Sequence, residues 1–314
     1  MSRSVTNEPL PVGPRFIVEY VLFRAVFGLL AILPLRVAMA GAAALAGTVV
    51  RLVRPMRRVG LTNLAMAFPE KSAREHLNIL VASWQNLGRM VAELAHVHRL
   101  DATNIESVVT VDRPDLWKEA EAGLATNGAL VLSGHFGNWE LAAIAHGLLG
   151  HPVHLVVRTI KNPLVDRFIN EVRSNGGVSL LRKNQAARGV LRTLRAKGIM
   201  VLPLDQNASR RTGVFVDFFG RPASTNAAFA RIAQRTGATV YPGFLVREGR
   251  SSRHRIVILP PVTFASMADP NQAAVDFTQR CTAVLEEMIR RHPDHWLWTH
   301  KRWRTRPLGE PDLY

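Results

Sequence analysis

The chain has 314 residues, a formal net charge of +16, and 47% hydrophobic against 20% charged residues. That hydrophobic share excludes general disorder, and the length allows one large α/β domain with an added segment, or two average domains. The positive surplus points to nucleic acid, an anionic membrane surface, or an acidic protein or substrate; with no zinc-finger spacing and no aromatic-rich RNA-binding signature beside the scattered arginines, nucleic acid is set aside.

In chain order, residues 16–53 are strongly apolar but interrupted by Glu19, Arg24, Pro34 and Arg36. The uncharged runs 25–35 and 37–50 each fall short of the roughly 20 residues that a helical span needs. A cleavable signal peptide fits poorly, because the apolar region is too long and starts too deep. A pair of buried helices and a shallow membrane anchor both satisfy the pattern. The anchor is preferred, with Arg51, Arg54, Arg57 and Arg58 facing anionic head groups at about 1 kcal/mol each. A single tilted span through 16–35, with Arg24 snorkelling, stands beside them. Residues 59–100 read as two helices broken at Phe68-Pro69, the second opened by a Ser72/Glu75 capping box. A short strand over 107–111 and a short helix over 116–121, ending before Gly123, follow.

From Ala129 the rhythm changes. ALVLSG, HLVVRT, IMVLPLD, TVYPGFLV and HRIVILPP are short runs rich in β-branched residues, and helical stretches such as WELAAIAHGLLG and NPLVDRFINEVRSNGG alternate with them. This predicts an α/β fold with a mostly parallel central sheet flanked by helices. A final helix spans about 273–292 and contains Cys281, the single cysteine, which reads as a small core residue; intrachain disulfides are excluded and a cytosol-facing location fits. The expected organisation is a flexible N-terminus over 1–14, a helical segment with the anchor over 15–100, and the α/β domain over 101–314.

The stretch VLSGHFGNWE, 131–140, closes the first buried strand. Asn138 is a good N-cap for the next helix, and Glu140 falls in its first turn, where the dipole favours an acid. Capping leaves His135 unexplained. On a continuous helix, side chains five residues apart diverge by about 140°, but a turn between them lets the carboxylate fold back onto the imidazole. Glu140 would then hold one ring nitrogen as N–H, leaving the other to take a proton from a hydroxyl. A strand end with a helix cap, and a catalytic pair, both remain open on these residues alone.

The H-x4-E in GHFGNWE resembles the H-x4-D/E motif of the lipid A biosynthesis lauroyl/myristoyl acyltransferases, within the wider glycerolipid-acyltransferase fold. RVGLTNLAMAFPEKS, WQNLGRMVAE, VVRTIKNPLVDRFINEVRSNGG, DQNASRRTGVFVDFFGRPASTNAAFARIAQRTGA and WLWTHKRWRTRP are similar to further blocks of that family, in the expected order over roughly 15–307. The resemblance implies transfer of a fatty acyl chain from a thioester to a glycolipid hydroxyl, such as one on a lipid A precursor, without a covalent intermediate. His135 would be the general base and Glu140 its orienter. It implies a bacterial inner-membrane location on the cytoplasmic face, no metal and no cofactor. Acyl carrier protein is the expected donor, favoured over acyl-CoA by the +16 charge. Phosphatidylinositol mannosides are an alternative acceptor, and a non-catalytic lipid-binding protein a further alternative.

Other residues are placed by position. Arg158, just after a strand, is expected on an anionic group or the oxyanion. Asn138 and Asn162 are expected to line the site, although Asn162 and Asp166 also suit the turn before a helix. Asp205 and Gln206 follow another strand at the same edge. Thr225, with Ser224, precedes a helix whose N-terminus could receive a phosphate, with Arg221 as its partner. The tail, with Trp296, Trp298 and Trp303 among Lys301, Arg302, Arg304 and Arg306, suits core packing, a membrane interface or an acidic carrier protein. His292, His295 and His300 lack partners at metal-ligand spacing. A serine hydrolase using Ser133 is disfavoured, because SGHFG lacks the G-x-S-x-G elbow.

Overall fold

The computed structural model describes residues 13–182, 186–265 and 267–314. The expected flexible N-terminus lies, for residues 1–12, outside them. Four helices come first: α1 (Pro14–Ile32), α2 (Leu35–Leu52), α3 (Arg54–Ala67) and α4 (Ala73–His96). The Ser72/Glu75 capping box starts α4 as the sequence predicts. α2 lies along α4 so closely that a Cβ on Gly88 would come 2.3 Å from the Ala42 carbonyl oxygen, so only glycine fits there. α2 is long and apolar enough to cross a bilayer, with mean hydropathy 1.5, yet one side of it is packed. α1 rests on α7 (Pro163–Asn175) through Phe23, Phe27 and Phe168, and Arg24 stacks on the Phe168 ring. Its outer side leaves Leu22 62% and Ile32 77% exposed.

The remaining elements are β1 (Val109–Val111), α5 (Pro114–Asn127), β2 (Ala129–Ser133), α6 (Trp139–Leu148), β3 (Val153–Val157), β4 (Ser179–Arg182), α8 (Ala186–Arg195), β5 (Ile199–Pro203), β6 (Gly213–Phe218), β7 (Arg221–Asn226), α9 (Ala228–Thr236), β8 (Thr239–Arg247), β9 (His254–Ile258) and α10 (Pro270–Arg291). Seven strands form one sheet in the order β1-β9-β8-β2-β5-β3-β4. All neighbours are parallel except β8 and β9. The α/β expectation with a mostly parallel sheet holds. β2 and β5, central in this sheet, are apolar on both faces because helices cover both.

Three local expectations are corrected. α5 runs through Gly123 and stops at Gly128, whose φ of +67° ends the helix; an isolated glycine weakens a helix without breaking it. β4 was not expected. FVDFFGRPAST forms an antiparallel hairpin, β6–β7, paired from Gly213–Asn226 to Phe218–Arg221. Ser224 and Thr225 therefore sit in a strand, and Asn226 Oδ1 accepts from the Ala228 N–H just before α9.

Candidate active site

β2 and β5 pair in parallel with Ser133 opposite Pro203. Two residues past those strand ends stand His135 and Asp205, so the register alone brings them together at the carboxyl edge of the sheet. In open α/β sheets, ligands bind at that edge. The loop between His135 and α6 turns at Gly137, where φ is +60° and a Cβ would meet the Leu245 carbonyl oxygen at 1.8 Å. The C-terminal segment pins this loop: the Gly137 N–H donates to the His295 carbonyl at 2.8 Å, and the Leu297 N–H donates to that of His135 at 3.3 Å.

The Asp205 carboxylate is the centre of the arrangement. Its Oδ1 accepts from His135 Nδ1 at 3.0 Å, and its Oδ2 accepts from the His135 backbone N–H and from Trp296 Nε1, each at 2.9 Å. Burial would raise the Asp205 carboxyl, but His135 and these hydrogen bonds hold it down to about 2. On His135, burial pulls the pKa down, and the charge and hydrogen bond of Asp205, with the charge of Glu140, more than offset it, so the net shift is upward. With Nδ1 bound as N–H by Asp205, Nε2 is the free base; Gln206 Nε2 stands 3.2 Å from it and can donate to its lone pair.

The expected hydrogen bond from Glu140 to the imidazole is corrected. Glu140 sits in the first turn of α6 and makes a bidentate ion pair with Arg173 of α7, at 2.8 Å and 2.6 Å. It reaches His135 only by charge through space. The geometry favours Arg173 because a guanidinium fork matches both carboxylate oxygens at once.

His135, Glu140, Arg158, Arg173 and Gln206 line a cleft of about 370 Å³, whose remaining walls include Val131, Trp139, Leu155, Val157, Val201 and Phe244. Arg158 is exposed at its rim. Five residues expected at the site are not among those lining it; one of them, Asp205, is 2% exposed and meets the site only through His135. Asn138 is 2% exposed; it caps α6 through Leu141 N–H and donates to Glu93 Oε2 at 2.7 Å. Asn162 caps α7 and donates to the Phe16 carbonyl, tying α1 to α7. Thr225 is fully buried, with Oγ1 accepting from Arg302, and Arg221 is exposed at the hairpin turn. For the tryptophans of the tail the packing reading holds. Trp296, Trp298 and Trp303 are core residues, and Arg302 is fully buried across the Phe218 ring. Lys301 and Arg304 remain exposed. Trp296 and Arg173 were not singled out for the site from the sequence, since each is distant in the chain and reaches it through tertiary packing. Cys281 is buried, and burial pushes its thiol up to about 12, so it is inert.

A mostly parallel α/β sheet with a carboxylate-bound histidine at its carboxyl edge, beside an apolar cleft, has the form of an α/β group-transfer enzyme. The chain belongs to the bacterial lipid A biosynthesis acyltransferase family, whose model matches residues 14–305, and it is an O-acyltransferase. It is 27% identical over 254 residues to the lipid A biosynthesis palmitoleoyltransferase of Escherichia coli K12, covering 80% of each chain. It is 24% identical over 265 residues to the lipid A biosynthesis lauroyltransferase of the same organism, covering 84% of each. A phosphatidylinositol mannoside acyltransferase of Mycobacterium tuberculosis is 28% identical over 239 residues, 72% of this chain and 70% of that one.

Proposed function

We propose that the protein moves a fatty acyl chain from an acyl thioester to a hydroxyl of a membrane glycolipid such as a lipid A precursor. His135 is the general base and Asp205 the carboxylate that orients it. The observation that carries this reading is the Asp205–His135 hydrogen bond, which holds the proton on Nδ1 and makes Nε2 the basic nitrogen of a residue that lines the cleft. Nε2 takes the proton of the acceptor hydroxyl as its oxygen attacks the thioester carbonyl. Collapse of the tetrahedral intermediate breaks the C–S bond, and the imidazolium returns the proton to the departing thiolate. Asp205 stabilises that imidazolium. Base catalysis of this kind supplies about 10²–10⁴-fold, and the rest comes from positioning and from donors to the oxyanion. Gln206 and Arg158, both at the cleft, are suited to the oxyanion or to an anionic group of the substrate. No enzyme nucleophile is required: among the described residues, no hydrogen bond joins Ser133 Oγ to His135, and Ser133 ends a strand without a nucleophile elbow.

The net charge of +16 favours acyl carrier protein over acyl-CoA as donor. The exposed apolar side of α1, with Arg51, Arg54 and Arg58 exposed nearby in the chain, favours shallow attachment to the cytoplasmic face of the bacterial inner membrane. A phosphatidylinositol mannoside is the second acceptor class, supported by the mycobacterial relative.

Intact-lipid mass spectrometry on membranes from the native host, carrying the protein or its His135→Ala variant, tests the reading. One glycolipid should gain the mass of a single acyl chain only with the parent protein, and its head group identifies the acceptor. Identical profiles, with both proteins folded at equal abundance, would overturn it. Purified acyl carrier protein and acyl-CoA donors, compared in vitro, decide the donor.

A further inference from the structure

Behind the cleft, between the sheet and helices α5 and α6, lies a second cavity of about 50 Å³. Trp117 of α5, Ala129 of β2 and Tyr241 of β8 line it. The cleft and this inner cavity share Val131, His146, Gly243 and Ile256. Along β2, the cleft is met at Ser133, the shared residues at Val131 and the inner cavity at Ala129. The two spaces therefore follow one another along the strand, away from His135.

Gly243, without a side chain, faces Val131 where the two spaces meet. A Cβ built on it would lie 3.3 Å from Val131 Cγ1, so any side chain there stands in the passage. On the other side, the His146 ring stacks on Trp117 with centroids 5.0 Å apart and an interplanar angle of 21°. Burial holds the His146 imidazole down to about 4, so it is neutral and compatible with hydrocarbon. The other walls are aliphatic or aromatic apart from Glu121 and His151, which pair with each other at 3.6 Å beside Trp117.

We propose that Gly243 is an aperture through which the methyl end of the donor acyl chain passes, and that the Trp117–His146 stack closes the inner cavity and limits chain length. This rests on the acyltransferase reading above and assigns it a length-selecting device. Val131 and Ala129 are two strand residues apart, about 7 Å. An extended alkyl chain built of ~1.5 Å bonds advances roughly 1.25 Å per carbon, so the inner cavity adds about five carbons to what the cleft holds.

The test uses the full-length protein, a ladder of saturated acyl donors in competition, and mass spectrometry of the product. Gly243→Ala and Gly243→Val should each shift the favoured donor shorter, by up to about five carbons, with short donors still transferred. Trp117→Ala should shift it longer. Transfer of the short donors shows that each variant is folded. Unchanged chain-length preference in all three variants overturns the proposal. So does an equal loss for every length in variants that keep the parent's thermal midpoint. Failure of the underlying reading looks different: the parent itself would transfer no chain in a His135-dependent way.

Discussion

Two opposing effects meet on the His135 imidazole: burial favours the neutral ring, and Asp205, with Glu140 behind it, favours the charged one and prevails. A general base must be neutral to act. A raised pKa therefore places the acid limb of kcat/KM above the ordinary histidine value of about 6.5. Replacing Asp205 by Asn removes the charge that raises His135, so the limb should move to lower pH. Asn also has only one acceptor oxygen, which the His135 backbone and Trp296 N–H groups claim, so its NH2 faces Nδ1 and favours the wrong tautomer; the plateau should fall by about 10²–10⁴-fold. Glu140→Gln should move the limb in the same direction but less, with a much smaller loss of plateau, because Glu140 acts on the ring only through space. A pH–rate series on parent, Asp205→Asn and Glu140→Gln measures both; a Glu140→Gln loss equal to that of Asp205→Asn would return the orienting role to Glu140. The histidine itself was legible in the sequence, standing past a buried strand between two glycines. Its hydrogen-bonded partner was legible only in part. Asp205 and Gln206 could be placed at the same sheet edge, but the pairing depends on the Ser133–Pro203 register, which joins residues 70 positions apart.

At the scale of elements, Glu140 and Arg173 clasp α6 to α7 at a point where both side chains are largely shielded, 10% and 18% exposed. Removing one partner leaves the other charge poorly solvated. Glu140→Ala and Arg173→Ala should each destabilise by about 2 kcal/mol, discounted from the 3–5 typical of fully buried pairs for the residual exposure. The double variant should lose less than the sum by about 1 kcal/mol in a thermodynamic cycle from denaturant melts. Strict additivity would mean the clasp is only a crystal-like proximity without coupling. The five-residue spacing of the motif follows from this packing: the turn at Gly137 sets His135 on the sheet edge, and the start of α6 aims Glu140 at α7. The parallel α/β pattern was readable because β-branched runs and amphipathic helices alternate with clear periods. The β6–β7 hairpin was not, since RPASTN is polar and small and takes its strand conformation from pairing with β6 and from Arg302 beneath it. In the tail, core packing of the tryptophans was readable but the burial of Arg302 was not, because only tertiary partners such as the Ser224 carbonyl and Thr225 Oγ1 make a buried arginine tolerable.

For the whole molecule, acid should act through groups spread across the fold. Glu93 of α4 is buried and receives Arg247 of β8, His254 of β9 and Asn138 at the start of α6. Burial alone would raise its carboxyl, but these partners bring it down to about 2. Groups whose carboxyl pKa is depressed on folding stabilise above their unfolded value and lose that contribution as pH falls toward the folded one. For Glu93 that window runs from about 4.5 to about 2, and for Asp205 from 3.8 to about 2. His146 acts earlier: its folded value of about 4 against 6.5 means that the unfolded chain binds the proton first, so stability falls as pH drops through that interval. Thermal midpoints measured in detergent should therefore decline in two stages, one between about pH 6.5 and 4 and a steeper one below about 4.5. Glu93→Gln breaks a buried ionic network and should cost about 3–5 kcal/mol at neutral pH. Having no carboxylate to protonate, it should also flatten the lower stage while leaving the upper one in place. A variant as stable as the parent at pH 7, or one whose lower stage is unchanged, would show that Glu93 does not hold α4 to the sheet in this way.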